Sequence, residues 1–349
     1  MTGGAGFVGA NLCVALAERH PGAEIVAFDN LRRRGSEINL ARLKAAGVAF
    51  VHGDVRAQAD VLEVGHVDAI VECSAEPSVM AAVGGSPDYV VQTNLIGAYH
   101  CLELARRTQA QFIFLSTSRV YPVAPLERAS WVEAPMRYEL TPDQAVSGLS
   151  ERGVSEALPL DGSRTMYGAS KLAAELLVTE YAEGYGVPAV IDRCGVIAGP
   201  WQMGKVDQGV FTYWLLAHYT GRQLSYIGYG GTGKQVRDLM HVDDLVDLVE
   251  EQLGDPLRWA GMTVNVGGGR EVSLSLLETT HLCRELTGNK ISFAAAGVDR
   301  PGDLRIYLSD CERLYAMTDW RPRRDARTIL ADTLDWIRAN EAAVLGALE

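Results

Sequence analysis

The sequence predicts an α/β protein: a doubly wound parallel sheet joined to a smaller α+β lobe. Two observations predict this class. Short β-rich runs alternate with helical patterns through the first half of the chain, and a glycine-rich turn leads directly into the first helical pattern. With 349 residues, 48% of them hydrophobic, the chain is long enough to bury a core and to form about two domains.

The elements follow from the spacing of apolar residues and from β-branched and aromatic content. In the first half we expect strands over 24–28, 49–52, 69–72 and 112–116, and helices over 11–18, 38–45 and 89–107. In the second half we expect helices over 166–185, 211–219, 242–253 and 329–345, and strands over 189–192 and 263–266.

Residues 122–164 interrupt this alternation with proline, serine, glycine and acidic residues. The segment is far longer than the usual connection of about 2 to 6 residues between a strand and a helix. We therefore expect it to be a functional insertion.

The glycine-rich turn has the spacing of a dinucleotide-binding loop. Residues 2–9 read TGGAGFVG, in which Gly3, Gly6 and Gly9 let the backbone turn tightly and approach a pyrophosphate closely. A helical pattern follows over 11–19, its N-terminal amides would face that anion, and Phe7 and Val8 between the glycines are also predicted to contact the cofactor. The loop therefore predicts a Rossmann-type sheet that binds a dinucleotide.

The residues that end the next two strands indicate which dinucleotide. Asp29 directly follows the predicted strand 24–28, where a carboxylate would bind the ribose diol of NAD and repel a 2′-phosphate. Arg32 and its two arginine neighbours could instead bind such a phosphate, so NADP stays open at this point. Asp54 and Val55 follow the predicted strand 49–52 and would meet the adenine.

Only two residues precede Gly3, so the strand that ordinarily leads into such a loop is missing from the sequence. That strand is central in the usual order, and its loss would leave unpaired backbone groups on both sides. We expect the natural start of the protein to lie upstream of Met1.

A tyrosine and a lysine one helical turn apart provide candidate chemistry. Tyr167 and Lys171 are spaced i and i+4, so they share one face of a helix. A lysine cation, together with an oxidised nicotinamide, would lower the pKa of the phenol and make it a base. Thr117 follows the predicted strand 112–116, and its hydroxyl group would share the hydrogen of a substrate hydroxyl with Tyr167.

These motifs, in this order, resemble the extended short-chain dehydrogenase/reductase family of nucleotide-sugar epimerases and dehydratases. The resemblance covers nearly the whole chain and includes the glycine loop, Thr117 with 120–121, Tyr167 with Lys171, and the segments 193–200, 235–244 and 300–303. It implies NAD as cofactor, a nucleotide-diphosphate sugar as substrate, and assembly as a homodimer. It also implies a cofactor-binding domain over 1–192 and a substrate lobe over 193–349, from which 242–270 returns to the first domain.

The resemblance also implies roles for individual residues. Beside the residues already named, it implies cofactor contacts for Asn30, Ala75, Asn94 and Ser116. It implies substrate contacts for Arg119, Gln202, Gln208, Arg237 and Arg300. Family members that eliminate water carry Asp-Glu where this chain has Ser118 and Arg119, and neither of these residues is a good proton carrier near neutral pH. The sequence therefore disfavours dehydration.

Several loops are most similar to the corresponding loops of family members that epimerise a CDP-linked deoxysugar at C2. These loops are 29–35, 52–54, 133–138, 207–209 and 233–238. Epimerisation at C4, or reduction of a sugar nucleotide, uses the same catalytic residues and is the alternative. A non-catalytic NAD(H)-sensing protein is a further alternative, but it would be expected to have lost those residues.

Composition excludes other classes of protein. The 32 basic and 44 acidic residues give a formal charge of −12, which repels nucleic acids and anionic membranes. There is no long apolar run and no secretion signal, so a cytoplasmic protein is expected. The six cysteines are scattered, as reduced thiols are, and we expect no metal site.

Overall fold

The computed structural model describes residues 1–204, 209–296 and 302–348. Its helices are α1 (Phe7–Arg19), α2 (Asn39–Ala45), α3 (Gln58–Glu63), α4 (Asp88–Val91), α5 (Gly97–Thr108), α6 (Val123–Glu127), α7 (Met166–Tyr185), α8 (Val210–Thr220), α9 (Val242–Gly254), α10 (Pro256–Trp259), α11 (Leu276–Thr287), α12 (Glu312–Met317), α13 (Ala326–Ala339) and α14 (Glu341–Leu348). Its strands are β1 (Val26–Asp29), β2 (Ala49–His52), β3 (Ala69–Glu72), β4 (Gln111–Thr117), β5 (Trp131–Glu133), β6 (Tyr138–Leu140), β7 (Leu149–Ser150), β8 (Gly153–Val154), β9 (Ala189–Cys194), β10 (Val196–Ala198), β11 (Leu224–Ile227), β12 (Val236–His241), β13 (Met262–Val266), β14 (Ser273–Ser275), β15 (Phe293–Ala296) and β16 (Ile306–Tyr307).

The main sheet is parallel. Strands β3, β4, β9 and β13 pair side by side, and β1 pairs with β2. Thr2 lies between these two groups, where it bridges Phe28 of β1 and Glu72 of β3. The strand order is thus β2-β1-β3-β4-β9-β13, with Thr2 in the gap, and the predicted doubly wound α/β class is confirmed.

Helices cover both faces of this sheet. Along β4 the side chains alternate, so Phe112 and Phe114 pack in one core with α5 and α7, and Ile113 and Leu115 pack in another with α9. All four side chains are buried. Two filled faces fix the register of β4 and therefore the position of the residues at its carboxyl end.

The smaller lobe is built on β12, which pairs with β10, β14 and β16, and on the helices α8, α11 and α13. Two elements from the C-terminal half belong to the main sheet instead. Strand β13 pairs with β9, and α9 contacts α1. These elements lie within 242–270, the segment that we expect to return to the first domain; the domain boundaries themselves remain a prediction.

Three elements differ from the sequence prediction. The prediction of a single helix over 329–345 is wrong, because α13 ends at Ala339 and α14 begins at Glu341. The side-chain amide of Asn340 donates a hydrogen bond to the Trp336 carbonyl and competes there with the helical backbone. The helix expected over 89–107 contains a π-helical segment, Gln92–Ile96. The insertion over 122–164 contains α6 and the hairpins β5–β6 and β7–β8.

The insertion packs against the smaller lobe. The guanidinium of Arg305 lies 4.1 Å from the ring centre of Trp131 and 4.9 Å from that of Tyr138. Lys234 forms an ion pair with Glu133 at 2.7 Å. The segment therefore braces the part of the lobe that contains Arg305. No helix within the described ranges is both long and apolar enough to cross a membrane.

Candidate active site

A cavity of about 550 Å³ lies where the carboxyl ends of β4 and β9 meet the smaller lobe. This is the edge of a parallel sheet at which ligands ordinarily bind. The sequence-predicted site residues in its wall are Phe7, Val8, Ala75, Ser116, Thr117, Arg119, Tyr167, Gln202 and Arg237. No residue of the insertion 122–164 lines the cavity. The expectation that it is a functional insertion is therefore not supported by a contact with this cavity.

The glycine loop has the close approaches that its sequence predicts. A Cβ atom on Gly9 would lie 2.3 Å from the Gly3 carbonyl oxygen, and one on Gly4 would lie 2.6 Å from the Cα atom of Ala27. Gly3 has a φ of +59°. Gly6 is the N-cap of α1, and no side chain caps the helix there. The free amides of the first turn, at Phe7, therefore fit a pyrophosphate.

We expect Gly9→Ala to weaken NAD binding by more than tenfold, because the new methyl group would push α1 away from the loop. Titration of the purified protein with NAD measures this. The matched control is Gly22→Ala, since nothing lies within 4 Å of a Cβ atom built on Gly22. Equal NAD affinity for the two variants would contradict the assigned role of the loop.

The Asp29 carboxylate is held by backbone amides. It accepts hydrogen bonds from Ala5 at 3.1 Å and from Leu31 at 2.8 Å, so it ties the glycine loop to the end of β1. Burial raises the pKa of Asp29, and these amides act in the opposite direction. Asp29 thus lies beside the loop, as its predicted contact with the cofactor ribose requires.

A polar cluster follows at the ends of β1 and β2. The amide of Asn30 donates to Asp54 at 2.9 Å, and Arg56 pairs with the same carboxylate at 2.6 Å. The Arg56 guanidinium holds the pKa of Asp54 well below its ordinary value. Arg32 lies 4.3 Å from the ring centre of Tyr89. The cluster therefore brings together three of the residues expected at the adenosine end: Asn30, Arg32 and Asp54.

Two of the predicted cofactor residues are buried behind the site. The Asn94 carboxamide lies in the π-helical segment, accepts a hydrogen bond from the Glu76 amide at 2.7 Å and donates one to the Ser170 hydroxyl at 3.0 Å. Val55 is buried, and its carbonyl oxygen lies 2.8 Å from the His100 ring. Asn94 thus connects the loop after β3 to α7 and acts as a brace.

Tyr167 and Thr117 come together in the cavity wall. Tyr167 lies in the first turn of α7, which Thr165 caps, and Thr117 is the last residue of β4. Burial raises the pKa of Tyr167 to about 12, whereas Thr117 and the Arg119 guanidinium act to lower it. The phenol is therefore protonated at neutral pH until further positive charge reaches it.

Lys171 lies beneath the cavity and not in its wall. Its ammonium pairs with Glu72 at 3.3 Å, and both side chains are at most 2% exposed. The Lys171 Nζ atom also lies 3.9 Å from the ring centre of Phe114. The lysine that the sequence assigns to the phenol is thus paired with a buried carboxylate at the end of β3.

The hydroxyl group of Ser116 points to a buried ion pair. It donates to Glu175 at 2.5 Å, and Glu175 pairs with Arg193 at 2.7 Å. Arg193 donates to the Tyr121 hydroxyl, which donates to Asn265 at 2.7 Å. This network connects β4, α7, β9 and β13 behind the candidate catalytic residues Thr117 and Tyr167. It also engages the Ser116 hydroxyl group, which we expected to contact the cofactor.

On the lobe side, two guanidinium groups line the cavity. Arg237 pairs with Asp303 at 2.6 Å, and Arg119 donates to the Gly302 carbonyl at 3.0 Å. The Gln202 carboxamide donates to the Ile197 carbonyl at 2.8 Å and accepts from the Thr212 hydroxyl at 2.6 Å, which fixes its orientation in the cavity wall. Gln208 and Arg300 lie outside the described residues.

Sequence reasoning missed two acidic residues of this site. Glu175 lies two turns after Tyr167 and one turn after Lys171, so a common helical face was a usable signal. Glu72 carried no such signal, because its partner lies 99 residues away in the chain. Cys73 and Cys194 also line the cavity, and Cys194 is buried there while Cys73 is half-buried.

The sheet, the uncapped glycine loop and the Thr117–Tyr167 pair above it define a dinucleotide-dependent α/β enzyme. The model of the NAD dependent epimerase/dehydratase family matches residues 1–267. The chain belongs to this family, and its cofactor is NAD, as predicted.

Relatives support this assignment over the whole chain. CDP-paratose 2-epimerase of Salmonella typhi is 30% identical over 96% of this chain and 98% of its own length. A dTDP-glucose 4,6-dehydratase of Mycolicibacterium smegmatis is 33% identical over 98% of this chain and 93% of its own length. The crystal structure of the DesIV double mutant, a dTDP-glucose 4,6-dehydratase from Streptomyces venezuelae with NAD bound, is 27% identical, covers 99% of this chain and 98% of its own, and superposes with a TM-score of 0.79.

Proposed function

We propose that this chain epimerises a nucleotide sugar, and that it inverts C2 of a CDP-linked deoxysugar of the paratose type. One observation carries the choice of epimerase over dehydratase. The cavity wall contains Thr117 and Tyr167, but the two positions after Thr117 are Ser118 and Arg119, in place of the acid and the base that elimination of water requires. The wall therefore offers a proton acceptor for one hydroxyl group.

The residues present support a cycle without net redox change. Tyr167, as phenolate, removes the proton of the reacting hydroxyl group, while Thr117 holds that oxygen. Bound NAD supplies the acceptor, and then the donor, of the hydride from the same carbon. Once the keto sugar has presented its other face, Tyr167 would give back the proton, and return of the hydride to the same carbon would restore every atom and both electrons.

The C2 position and the cytidine nucleotide are supported by the match to CDP-paratose 2-epimerase over nearly its full length. The reacting carbon must lie within about 3 to 3.5 Å of its hydride acceptor, so the carbon that the lobe presents is the one that is inverted. Arg237, held by Asp303 in the cavity wall, is the described residue that best fits the substrate diphosphate.

A panel of sugar nucleotides tests the proposal. We expect CDP-linked paratose to be converted to its C2 epimer, detected by proton NMR, with UDP-, GDP- and dTDP-linked sugars converted at least tenfold more slowly. Added NADH should not be consumed. Inversion at C4 would assign the 4-epimerase alternative, stoichiometric NADH oxidation would assign a reductase, and loss of water would contradict the assignment made from Ser118 and Arg119.

A further inference from the structure

We propose that the hairpin β5–β6 of the insertion positions Arg237 in the cavity wall, and that it sets in this way how tightly the cavity binds the diphosphate of the substrate. The inference rests on the proposed function only for the identity of the ligand that Arg237 binds. None of the residues 131–140 lines the cavity, so those that act here are positioning residues.

The place of Arg237 depends on the two strands beside it. Its backbone pairs with Leu274 of β14 on one side and with Tyr307 of β16 on the other. Its guanidinium pairs with Asp303 at 2.6 Å, in the segment that leads into β16. A movement of β14 or β16 would therefore move the Arg237 charge within the cavity.

The hairpin holds β16 through an aromatic box, formed by Trp131 and Tyr138 of the hairpin and by Tyr229. The Arg305 guanidinium lies 4.1 Å from the ring centre of Trp131, 4.9 Å from that of Tyr138 and 4.7 Å from that of Tyr229. A guanidinium is attracted to the faces of aromatic rings. Arg305 lies directly before β16 and two residues after Asp303. The aromatic box therefore fixes the segment that carries the Asp303 carboxylate.

The turn of the hairpin holds β14. The Arg137 guanidinium donates a hydrogen bond to the Ser273 hydroxyl at 2.6 Å. The Ser275 hydroxyl donates one to the Met136 carbonyl at 2.8 Å. Ser273 and Ser275 are the two ends of β14. The hairpin therefore contacts the second strand that pairs with β12 at Arg237.

A third contact reaches the segment that leads into β12. The Tyr138 amide donates to the Lys234 carbonyl at 3.0 Å, and the Lys234 ammonium pairs with Glu133 at 2.7 Å. Lys234 lies three residues before Arg237. One hairpin thus contacts all three segments that determine where Arg237 lies, as expected of an element that supports a binding residue from behind.

This support should affect binding and leave the chemistry unchanged. A guanidinium that is already fixed loses less conformational freedom when it binds a phosphate group. Thr117 and Tyr167 lie on β4 and α7, outside the segments that the hairpin contacts. A loosened hairpin should therefore raise the KM for the sugar nucleotide and leave kcat unchanged.

The first test is Trp131→Ala, which removes one wall of the aromatic box without changing any charge. The probe is CDP, titrated into the NAD complex by calorimetry, because it carries the diphosphate without the sugar. We expect the variant to bind CDP about fivefold more weakly, with NAD affinity unchanged. Trp131→Phe keeps an aromatic face and should bind CDP within about twofold of the wild type. In turnover of the sugar nucleotide, Trp131→Ala should raise KM about fivefold and change kcat by less than about twofold.

The matched control is Tyr185→Ala, which removes another exposed ring beside an arginine, 5.6 Å from the Arg106 guanidinium, at the end of α7. It should bind CDP as the wild type does. If Trp131→Ala does not fold, Ser273→Ala takes its place, since it removes the hydrogen bond from Arg137 to β14 and should weaken CDP binding about threefold. The proposal is overturned if the variant tested binds CDP as tightly as Tyr185→Ala.

Hydrogen exchange separates this inference from the proposed function, because it is measured in the NAD complex without any nucleotide. We expect the amides of β12 and β16 to exchange faster in Trp131→Ala than in Tyr185→Ala. Faster exchange in a protein that binds no CDP, or that epimerises none of the sugars, would support the positioning of Arg237 and reject the function. Equal exchange in the two variants would overturn the inference, whichever nucleotide the protein binds.

Discussion

We expect Tyr167→Phe to lower turnover of the proposed sugar nucleotide by about 10³-fold and to leave NAD affinity within a few fold of the wild type. The ring of phenylalanine fills the same space in the cavity wall, so the variant removes only the proton-accepting oxygen. General acid–base catalysis by one placed group contributes roughly 10²- to 10⁴-fold, and this residue serves in both directions of the cycle. Single-turnover assays of the purified variant measure the loss.

The control is Tyr219→Phe, which removes an exposed phenol oxygen at the end of α8, where it donates to Glu341. It should retain full turnover. If Tyr167→Phe turns over within tenfold of this control, Tyr167 is not the base. If it no longer binds NAD, the substitution has disturbed the site, and Thr117→Val becomes the variant that tests the hydroxyl pair.

We expect Glu175→Gln to lower the free energy of unfolding by about 3–5 kcal/mol, the usual cost of removing one partner from a buried ion pair. The carboxylate accepts hydrogen bonds from Ser116 and Arg193, and all three side chains are buried. The variant leaves the Arg193 guanidinium without its anion, next to the end of β4. Urea unfolding followed by circular dichroism measures the change.

Two variants control for this effect. Glu180→Gln, on an exposed position of the same helix, should change stability by less than about 0.5 kcal/mol. The double variant Glu175→Leu/Arg193→Met replaces both charges with apolar groups and should recover most of the loss. A Glu175→Gln protein as stable as Glu180→Gln would show that the network does not hold the strands together.

The sequence predicts those elements best whose pattern is local. The bounds expected for β2, β3 and α7 agree with the structure at both ends, because periodic burial along one strand or helix is visible in the sequence itself. The hairpins β5–β6 and β7–β8 were not predicted, since their pairing within a segment rich in turn residues carries no such period. The break at Asn340 was missed because it depends on one side-chain hydrogen bond.

The candidate site likewise contains residues that local sequence patterns predict and residues that only the tertiary structure brings in. The glycine loop, Thr117 and Tyr167 could be found from motif spacing, and the fold brings them to one cavity. The partner of Lys171 could not be found, because Glu72 reaches it from another strand, 99 residues away. The charge balance around the phenol therefore depends on tertiary contacts, although the residue types were visible from the start.

In the proposed function, a hydride leaves one carbon of the sugar and returns to that same carbon. The most direct measurement is conversion of the substrate in heavy water, followed by mass spectrometry and NMR of the product. We expect an epimer with no deuterium on carbon, because the hydride never exchanges with solvent. Stoichiometric deuterium at the inverted carbon would show that a proton is removed from that carbon, and it would rule out transfer of a hydride.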